Sequence, residues 1–293
     1  MRRTMLFVPG NNPGMLLNAD IYGADALILD LEDAVAPGEK DAARILVRGA
    51  LTAYGYAGCE IIIRINPLGS GYTEEDIRAV VPLKPAMLMP TKVSSVKDIE
   101  IISAMMAEAE RDHGMPEGTV GLLPLIETAI GVENAYEIAT ADPRVKAIFL
   151  GAEDLSSDLQ AVRSKENIEI IYARGRMVMA ARAAGVDVYD TPFTDTNDEE
   201  GLRLDAEHAR ALGFTGKAVI SPRHVEAVNA AFTPTEREIT YAREVLDVIE
   251  DGKKRGLGAV SLRGKMIDKP IVDRAERILA VARALGLGGA DHE

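Results

Sequence analysis

The chain has 293 residues, which exceeds the usual single domain but matches one α/β barrel with a short appendage. Apolar residues make up 47% of the sequence and charged residues 27%, a globular composition that excludes the disordered and fibrous classes. The net charge of −13 argues against a nucleic-acid partner, because phosphate binding needs clustered Lys and Arg and no such cluster stands out. An enzyme this acidic that acts on an anion needs an Arg or a metal at its site.

Cysteine usage and hydropathy indicate the compartment. The one cysteine, Cys59, leaves no internal disulfide and no thiolate metal site, and we expect a buried structural thiol at the start of an apolar run. The N-terminal sequence MRRTMLFVPG has only a short apolar stretch before Pro9, and no 18-residue apolar run occurs. The sequence predicts a cytoplasmic protein that does not enter a membrane.

Eight short apolar runs alternate with helical stretches along the chain, a pattern that predicts parallel strands covered by helices. The runs are Thr4–Pro9, Ala26–Leu31, Glu60–Asn66, Ala86–Thr91, Gly121–Glu127, Ala147–Gly151, Asp187–Pro192 and Lys217–Ser221. Eight strand–helix units predict an α/β fold, a closed (β/α)8 TIM barrel.

Several intervening segments have helical signals. NPGMLLNADIYG begins with a proline near its first turn, and SVKDIEIISAMMAEAERDHG ends with Gly114 at a C-cap position. NIEIIYARGRMVMAARAAG keeps apolar residues on repeating faces and has Gly175 in its interior. We expect this last helix to cover the sixth strand.

The pattern changes after Ser221. Thr233 or Thr235 can cap a long amphipathic helix in TPTEREITYAREVLDVIEDGKKRG. The loop-like segment LGAVSLRGKMIDKP and a final helix, VDRAERILAVARALG, complete the chain. We therefore expect a catalytic barrel domain at residues 1–232 and a C-terminal helical appendage at residues 233–293.

The ends of three predicted strands are acidic. In a parallel barrel the functional face lies at the carboxyl ends of the strands, so polar residues that end the apolar runs are candidate site residues. The acids are Asp30, Glu32 and Asp33 after the second run, Glu127 after the fifth, and Glu153 and Asp154 after the sixth. Crowded carboxylates repel one another unless a cation neutralises them, and Mg²⁺ suits oxygen ligands.

We predict that Glu127 and Asp154 bind Mg²⁺, which typically takes one or two protein carboxylates and keeps several waters. The alternative is that strand-end acids cap the next helix or lie in solvent. Glu32 and Asp33 are predicted to surround the metal site, where some of the acids in this loop hold metal-bound waters and others cap the next helix.

Two basic residues follow neighbouring strands. Arg64 interrupts the apolar run EIIIRIN, and a buried guanidinium needs an anionic partner. Its planar fork suits a substrate carboxylate, and the alternative is a structural ion pair with an acid of the DLED segment. Lys92 is the last residue of LMPTK and is a similar candidate, for which helix entry or exposure to solvent is the alternative interpretation.

Other catalytic machinery is absent from the sequence. No GxSxG elbow, Walker loop or HExxH occurs, and the four histidines lack ligand spacing. A Schiff-base lysine at the end of an apolar strand has one candidate, Lys92. The metal interpretation is stronger.

The sequence resembles the citrate lyase beta subunits, a family within the HpcH/HpaI aldolase and citrate lyase superfamily. The segments that carry the resemblance lie in the expected order along nearly the whole chain. They are MLFVPGNNP, DALILDLEDAVAPGEKDAAR, RIN, LPLIET, GAEDL, YARGRMVMAARAAG, TDTNDEEG, GFTGKAVISPRHVEAVNAAFTPT and VSLRGKMIDKP.

The resemblance implies a (β/α)8 barrel, Mg²⁺ on Glu127 and Asp154, and Arg64 at the oxaloacetate-like half of the substrate. It also implies that Asp268 in GKMID reaches into a neighbouring subunit's site as acid or base. Without the resemblance, Asp268 would be interpreted as an ordinary helix cap ahead of Pro270.

The resemblance further implies that Arg3 lies near the thioester. It implies that the backbone N–H groups of Gly151, Ala152 and Glu153 bind the keto-acid portion, which fits a strand end that contains a glycine.

The reaction that these residues imply is cleavage of a citryl thioester, on CoA or on an acyl carrier protein, to oxaloacetate and an acetyl thioester, without an organic cofactor. Malyl-CoA or citramalyl-CoA lyase and thioesterase activities are the alternatives, because small pocket changes redirect specificity. A mainly structural subunit is the third interpretation. The expected partners are an alpha subunit, a gamma acyl carrier protein and two further copies of the chain in a homotrimer.

Overall fold

The computed structural model describes residues 1–256 and 260–287, and the parts of the predicted C-terminal appendage at 257–259 and 288–293 lie outside the described residues. The chain forms two compact units. The barrel unit is Arg2–Ala230, and the C-terminal unit is Ala231–Glu293 together with Met1. The division into a catalytic domain at 1–232 and an appendage at 233–293 stays a proposal.

Parallel strands form the sheet of the barrel unit. They are β1 (Thr4–Pro9), β2 (Ala26–Asp30), β3 (Glu60–Ile65), β4 (Met87–Pro90), β5 (Gly121–Leu122), β6 (Leu125–Ile126), β7 (Ala147–Leu150), β8 (Asp187–Asp190) and β9 (Gly216–Val219). Their order in the sheet is β5-β4-β3-β2-β1-β9-β8-β7-β6. The two strands at the ends of this order are pieces of one chain run.

That run closes the barrel. Leu123 N–H donates to the Leu88 carbonyl on one side at 2.8 Å, and Phe149 N–H donates to the Pro124 carbonyl on the other side at 3.0 Å. The predicted (β/α)8 fold is confirmed. The fifth predicted strand is corrected, because Pro124 has no N–H to donate and divides the run into β5 and β6.

The barrel interior is filled by side chains that alternate along the strands with outward-facing ones. The buried interior cluster comprises Met5, Ala26, Ile28, Ile62, Met87, Met89, Leu123, Leu125, Ala147, Phe149, Tyr189 and Ala218. The other seven predicted strands agree with the structure to within two residues at each end. The polar residues predicted at strand ends therefore lie at the carboxyl ends of the strands or in the segments that directly follow them.

Helices follow the strands of the barrel unit. They are α1 (Pro13–Leu17), α2 (Lys40–Tyr54), α3 (Thr73–Val80), α4 (Val96–Asp112), α5 (Ala129–Glu133), α6 (Ala135–Thr140), α7 (Ala152–Asp158), α8 (Ile171–Ala184), α9 (Glu199–Leu212) and α10 (Val225–Phe232). Ser95 starts α4 with a reciprocal capping box to Asp98, and Gly114 lies beyond its end at φ +65°. Both ends of this helix are therefore encoded locally.

The C-terminal unit contains α11 (Glu236–Lys254), β10 (Val260–Leu262), β11 (Lys265–Ile267) and α12 (Lys269–Ala284). Thr235 caps α11 through a capping box with Glu238. Of the two predicted cap residues, Thr233 and Thr235, the second therefore starts the helix. The segment predicted as a loop instead contains an antiparallel hairpin, whose two-residue turn at Arg263 and Gly264 has positive φ at both positions. Its helices and hairpin share an apolar core.

Within residues 1–256 and 260–287, no helix combines the length and the apolar character that a membrane crossing needs.

Candidate active site

A cavity of about 360 Å³ lies where the carboxyl ends of the barrel strands meet. It is lined by Phe7, Pro9, Met15, Asp30, Asp33, Ala34, Arg64, Leu125, Glu127, Phe149, Gly151, Ala152, Glu153, Asp154, Thr191, Pro192 and Ile220. The structure therefore brings the acids that follow β2, β6 and β7 into one site, together with the arginine of β3. Apolar side chains form much of the remaining wall.

Arg64 is paired with Asp30 along one edge of its guanidinium. Its Nε–H donates to Asp30 Oδ1 at 2.7 Å and its Nη2 donates to Oδ2 at 2.5 Å. The guanidinium also lies over the Phe7 ring, 5.0 Å from the centroid. Burial lowers the pKa of Arg64, but the hydrogen bonds and charge of Asp30 outweigh burial and raise it. The structure thus shows the ion pair that the sequence left open as an alternative.

Glu32 and Asp33 differ sharply in exposure. The Glu32 side chain is 6% exposed and lies 3.2 Å from Arg64 Nη1, whereas the Asp33 side chain is 63% exposed. Burial raises the pKa of Glu32, Arg64 opposes this shift, and the charge of Asp33 adds to it. The buried Lys40 ammonium donates to the carbonyl oxygens of Leu31 and Glu32, at 2.8 and 2.7 Å, and so holds this loop in place.

Glu127 is buried at the end of β6. Its Oε1 accepts the Lys92 backbone N–H at 2.8 Å. Burial, followed by the negative charge of Asp154, raises the pKa of Glu127 to about 8. A cation beside this carboxyl group would compete with its proton.

Asp154 lies in the first turn of α7. Its Oδ2 is buried and forms no hydrogen bond with any described residue, although Lys92 Nζ lies 3.4 Å away in ion-pair range. A buried carboxylate oxygen without a hydrogen bond is costly unless a cation lies beside it, and here the Lys92 ammonium is that cation. The Asp154 side chain as a whole is 40% exposed and lines the cavity. The neighbouring Glu153 points to Arg163 instead, with an Nε–Oε1 distance of 3.0 Å.

Lys92 lies closer to the candidate site than the sequence indicated. Its Nζ is 3.7 Å from Glu32 Oε1 and its backbone has φ +55°. Burial lowers the pKa of Lys92, but the charges of Asp154, Glu32, Asp33 and Glu127 together outweigh burial and raise it. A lysine after a strand has many possible partners, so the sequence does not reveal these contacts.

The donor set fits a hard divalent cation with an incomplete protein shell. Within residues 1–256 and 260–287, no three side chains of His, Cys, Asp or Glu converge as a closed metal cage. Glu127 and Asp154 provide the two carboxylates that Mg²⁺ typically takes from a protein, and the cavity leaves room for water or substrate oxygens.

The backbone donors expected in the GAED segment are partly used inside the protein. Gly151 N–H donates to the Ile126 carbonyl at 2.9 Å, and Ala152 N–H donates to Thr191 Oγ1 at 3.2 Å. The expected contact of these N–H groups with the keto-acid portion stays a prediction. Glu153 N–H lies in the first helical turn, where amides have no intrahelical partner, so it is the better placed donor.

Two predicted residues lie elsewhere. Arg3 precedes β1, at the amino ends of the strands, where its Nε–H and Nη2 each lie 2.8 Å from a carboxylate oxygen of Asp25. The structure therefore does not bring Arg3 to this cavity, and the expected contact with the thioester is not supported. Asp268 belongs to the C-terminal unit, where its side chain accepts the Ile271 N–H at 3.3 Å and caps α12.

A buried charge network supports the site from the outer side of the sheet. Lys217 is fully buried, and its Nζ lies 2.6 Å from Asp190 Oδ2, Asp205 Oδ2 and the Thr191 carbonyl. Arg174 Nη2 is 2.9 Å from Asp190 and 2.8 Å from Asp205. Because the Thr191 hydroxyl accepts from the start of α7, this network fixes the segment that carries Asp154. The periodicity of the sequence did not predict this buried charge network.

The fold and the site define a class of protein: a (β/α)8 barrel enzyme with a carboxylate site for a divalent cation at the carboxyl ends of its strands. The chain belongs to the HpcH/HpaI aldolase/citrate lyase family, whose characteristic sequence pattern matches residues 3–222. The predicted family is confirmed, and membership identifies a carbon–carbon lyase.

The chain is similar to curated members of this family along nearly its whole length. It is 43% identical over 284 residues to citrate lyase subunit beta of Leuconostoc mesenteroides subsp. cremoris, which covers 97% of this chain and 94% of that protein. It is 32% identical over 294 residues to the mitochondrial citramalyl-CoA lyase of Mus musculus, which covers 97% of this chain and 87% of that protein.

Solved structures from Mycobacterium tuberculosis are also similar. The protein CitE in complex with magnesium, acetoacetate and coenzyme A is 29% identical, covers 96% of this chain and 98% of its own, and has a TM-score of 0.79. A citrate lyase beta subunit complexed with oxaloacetate and magnesium is 30% identical, covers 80% of this chain and 97% of its own, and has a TM-score of 0.67.

Proposed function

We propose that the protein is a Mg²⁺-dependent lyase that cleaves a citryl thioester to oxaloacetate and an acetyl thioester. The observation that carries the proposal is the convergence of Glu127 and Asp154, which follow the neighbouring strands β6 and β7, on one cavity that Arg64 also lines. The 43% identity to a citrate lyase beta subunit supports the same reaction. The site needs no organic cofactor.

The reaction breaks one carbon–carbon bond. The substrate hydroxyl loses its proton, its carbon becomes the keto carbon of oxaloacetate, and the bond to the methylene group beside the thioester breaks. The electron pair of that bond remains on the methylene carbon as a thioester enolate, which then takes up one proton. Atoms and charge therefore balance without an oxidant or a reductant.

Glu127 and Asp154 would hold the cation, and Arg64 would bind a substrate carboxylate. With Mg²⁺ held there, the pKa of the substrate hydroxyl would fall and negative charge on the keto acid would be neutralised. A guanidinium has five N–H donors, of which Asp30 accepts two, and Glu32 lies 3.2 Å from Nη1, so one proton of Nη1 and one of Nη2 remain for a substrate carboxylate. Asp30 acts as a positioning residue, because its bidentate pairing fixes the guanidinium plane.

Asp268 is proposed as the proton donor to the enolate, in the site of a neighbouring subunit. The exposed position of its carboxylate, at the start of α12, is compatible with a role outside its own unit. We propose a homotrimer, since a closed ring of heterologous contacts gives each barrel one C-terminal unit from another copy.

The partners follow from the proposed reaction. We propose an acyl thioester of CoA or of a gamma acyl carrier protein as substrate, and an alpha subunit that exchanges acyl groups. We propose a cytoplasmic location because the sequence has one cysteine, the partly buried Cys59, whereas oxidising compartments favour disulfide-bonded proteins.

A second candidate keeps the chemistry and changes the acyl group. The 32% identity to a citramalyl-CoA lyase and the 33% identity to a (3S)-malyl-CoA thioesterase of Cereibacter sphaeroides favour these substrates as the alternatives. They rank second because both identities are lower than that to the citrate lyase beta subunit.

Turnover of citryl-CoA, malyl-CoA and citramalyl-CoA by the isolated chain with Mg²⁺ tests the proposal. We expect oxaloacetate from citryl-CoA as the fastest reaction, abolished by EDTA and restored by Mg²⁺. Fast malyl-CoA or citramalyl-CoA cleavage beside negligible citryl-CoA cleavage would reverse the ranking, and release of free CoA with an intact carbon skeleton would indicate a thioesterase. Inactivity toward all three would favour a structural subunit.

A further inference from the structure

Lys92 connects the two carboxylates proposed as metal ligands. Its backbone N–H donates to Glu127 Oε1 at 2.8 Å, and its Nζ lies 3.4 Å from Asp154 Oδ2. The same Nζ is 3.7 Å from Glu32 Oε1. One residue thus contacts acids that follow three different strands, β2, β6 and β7.

The backbone of Lys92 has φ +55°, in the left-handed region that disfavours residues with a Cβ. In this conformation the amide reaches Glu127 while the side chain reaches Asp154. Glu127 and Asp154 line the cavity, whereas Lys92 is not among the described residues that do. The ammonium therefore reaches Asp154 without lining the cavity itself.

The charge balance shows why this cation matters. Glu32, Asp33, Glu127 and Asp154 lie close enough to affect one another's charge or that of Lys92. Arg64 is the other cation within ion-pair distance of Glu32, and Asp30 already takes one edge of its guanidinium. Without Lys92, repulsion among the carboxylates increases, and attraction for any divalent cation increases with it.

We infer that Lys92 is a positioning residue that acts as a built-in counter-ion. Its ammonium holds Asp154 and Glu32 next to Glu127 before a divalent cation binds, and its positive charge then weakens the binding of that cation. The inference rests on the proposed function, because it takes Glu127 and Asp154 as the metal ligands. Lys92 thus stabilises the metal-free site and, in doing so, lowers the affinity of that site for the metal.

The variant Lys92→Gly removes the ammonium, keeps the N–H that binds Glu127 and suits the left-handed backbone. Lys84→Gly is a matched control, because Lys84 is an exposed lysine with φ +56° that precedes β4, whereas Lys92 follows it. The Mn²⁺ dissociation constant of the full chain is measured at pH 8 by electron paramagnetic resonance. The melting temperature is measured in EDTA.

We expect Lys92→Gly to bind Mn²⁺ roughly threefold to tenfold more tightly than the wild type, and to melt at a lower temperature than Lys84→Gly in EDTA. Lys92→Arg keeps the charge and should restore both values. Unchanged or weaker Mn²⁺ binding by Lys92→Gly overturns the inference while the metal site stands. If the wild-type chain binds no Mn²⁺, or if Asp154→Asn leaves its Mn²⁺ binding intact, the proposed metal site and this inference both fail.

Discussion

Gly151 packs directly against Glu127. A Cβ added to Gly151 would lie 2.7 Å from Glu127 Cβ and 2.7 Å from its Oε2, much closer than real Cβ atoms approach. Glycine at the end of β7 therefore leaves the space in which the Glu127 carboxylate is held, and any larger residue must displace it.

The variant Gly151→Ala should lose metal affinity because the new methyl group displaces Glu127. We expect Mn²⁺ binding about tenfold weaker or worse, measured by titration calorimetry. Gly175→Ala is the control, because Gly175 lies inside α8 and a Cβ there meets no atom within 4 Å. That variant should keep wild-type affinity and gain about 0.5–1 kcal/mol of stability from helix propensity. Equal affinities in both variants would contradict the packing argument.

Asp154→Asn removes one of the two proposed metal ligands. We expect Mn²⁺ affinity and citryl-CoA turnover to fall by more than about a hundredfold, because a neutral amide replaces a charged oxygen ligand. Glu153→Gln tests the neighbouring acid, which points to Arg163 and should retain wild-type metal binding. The assignment of ligands is wrong if the two variants bind Mn²⁺ equally well.

The raised pKa of Glu127 predicts a pH dependence in two measurements. Its folded-state pKa of about 8 lies above the ordinary value of 4.5. The metal-free fold is therefore most stable with respect to this group below about pH 4.5, where Glu127 is protonated in both the folded and the unfolded state. This stability is lost as the pH rises through about 8, by up to about 1.4 kcal/mol per pH unit. Mn²⁺ competes with the proton, so its affinity should increase up to about pH 8 and then level off.

Urea unfolding in EDTA at several pH values measures the first effect, and Mn²⁺ titrations over the same range measure the second. Glu127→Gln cannot titrate and should show a flatter stability profile than the wild type. A wild-type profile in EDTA that is equally flat would show that Glu127 carries no such proton.

Lys217→Met should destabilise the barrel strongly, because it leaves Asp190 and Asp205 buried beside Arg174 without their second cation. Breaking a buried ion network by removing one partner costs about 3–5 kcal/mol, which corresponds to a melting temperature lower by roughly 6–15 °C. Lys253→Met, at an exposed position of α11, is the control and should melt within a degree or two of the wild type. Differential scanning calorimetry distinguishes the two outcomes.

Asp268→Asn tests the proposed proton donor without removing the helix cap, since Asn caps helices as well as Asp. We expect unchanged melting temperature and Mn²⁺ affinity with most turnover lost. Asp268→Ala should lose turnover and also about 1 kcal/mol of stability. Near-normal turnover of the Asn variant would remove Asp268 from the mechanism and leave it as a cap.

Much of the barrel was predictable because each strand is a short apolar run followed by a polar residue. The exceptions have local causes that periodicity does not report. Pro124 interrupts the fifth run although the run is apolar throughout, and the hairpin of β10 and β11 depends on two left-handed residues at Arg263 and Gly264.

The acids of the candidate site were predictable from their place after strands, but their partners were not. The pairing of Arg64 with Asp30 joins residues 34 positions apart, and the contact of Lys92 with Asp154 joins different strands. A sequence gives the residue type at a strand end, whereas the choice among nearby opposite charges depends on loop conformation. The buried position of Lys217 was missed for the same reason.

The cavity wall also indicates how enzymes that share one reaction can differ in the acyl group that they accept. Met15 in α1 and Ile220 after β9 line the cavity on segments separate from those that carry Glu127 and Asp154. Substitutions at such sites act independently of the carboxylates when they share no contacts. Substitutions at Met15 and Ile220 can therefore change the shape of the cavity while the two carboxylates keep their positions.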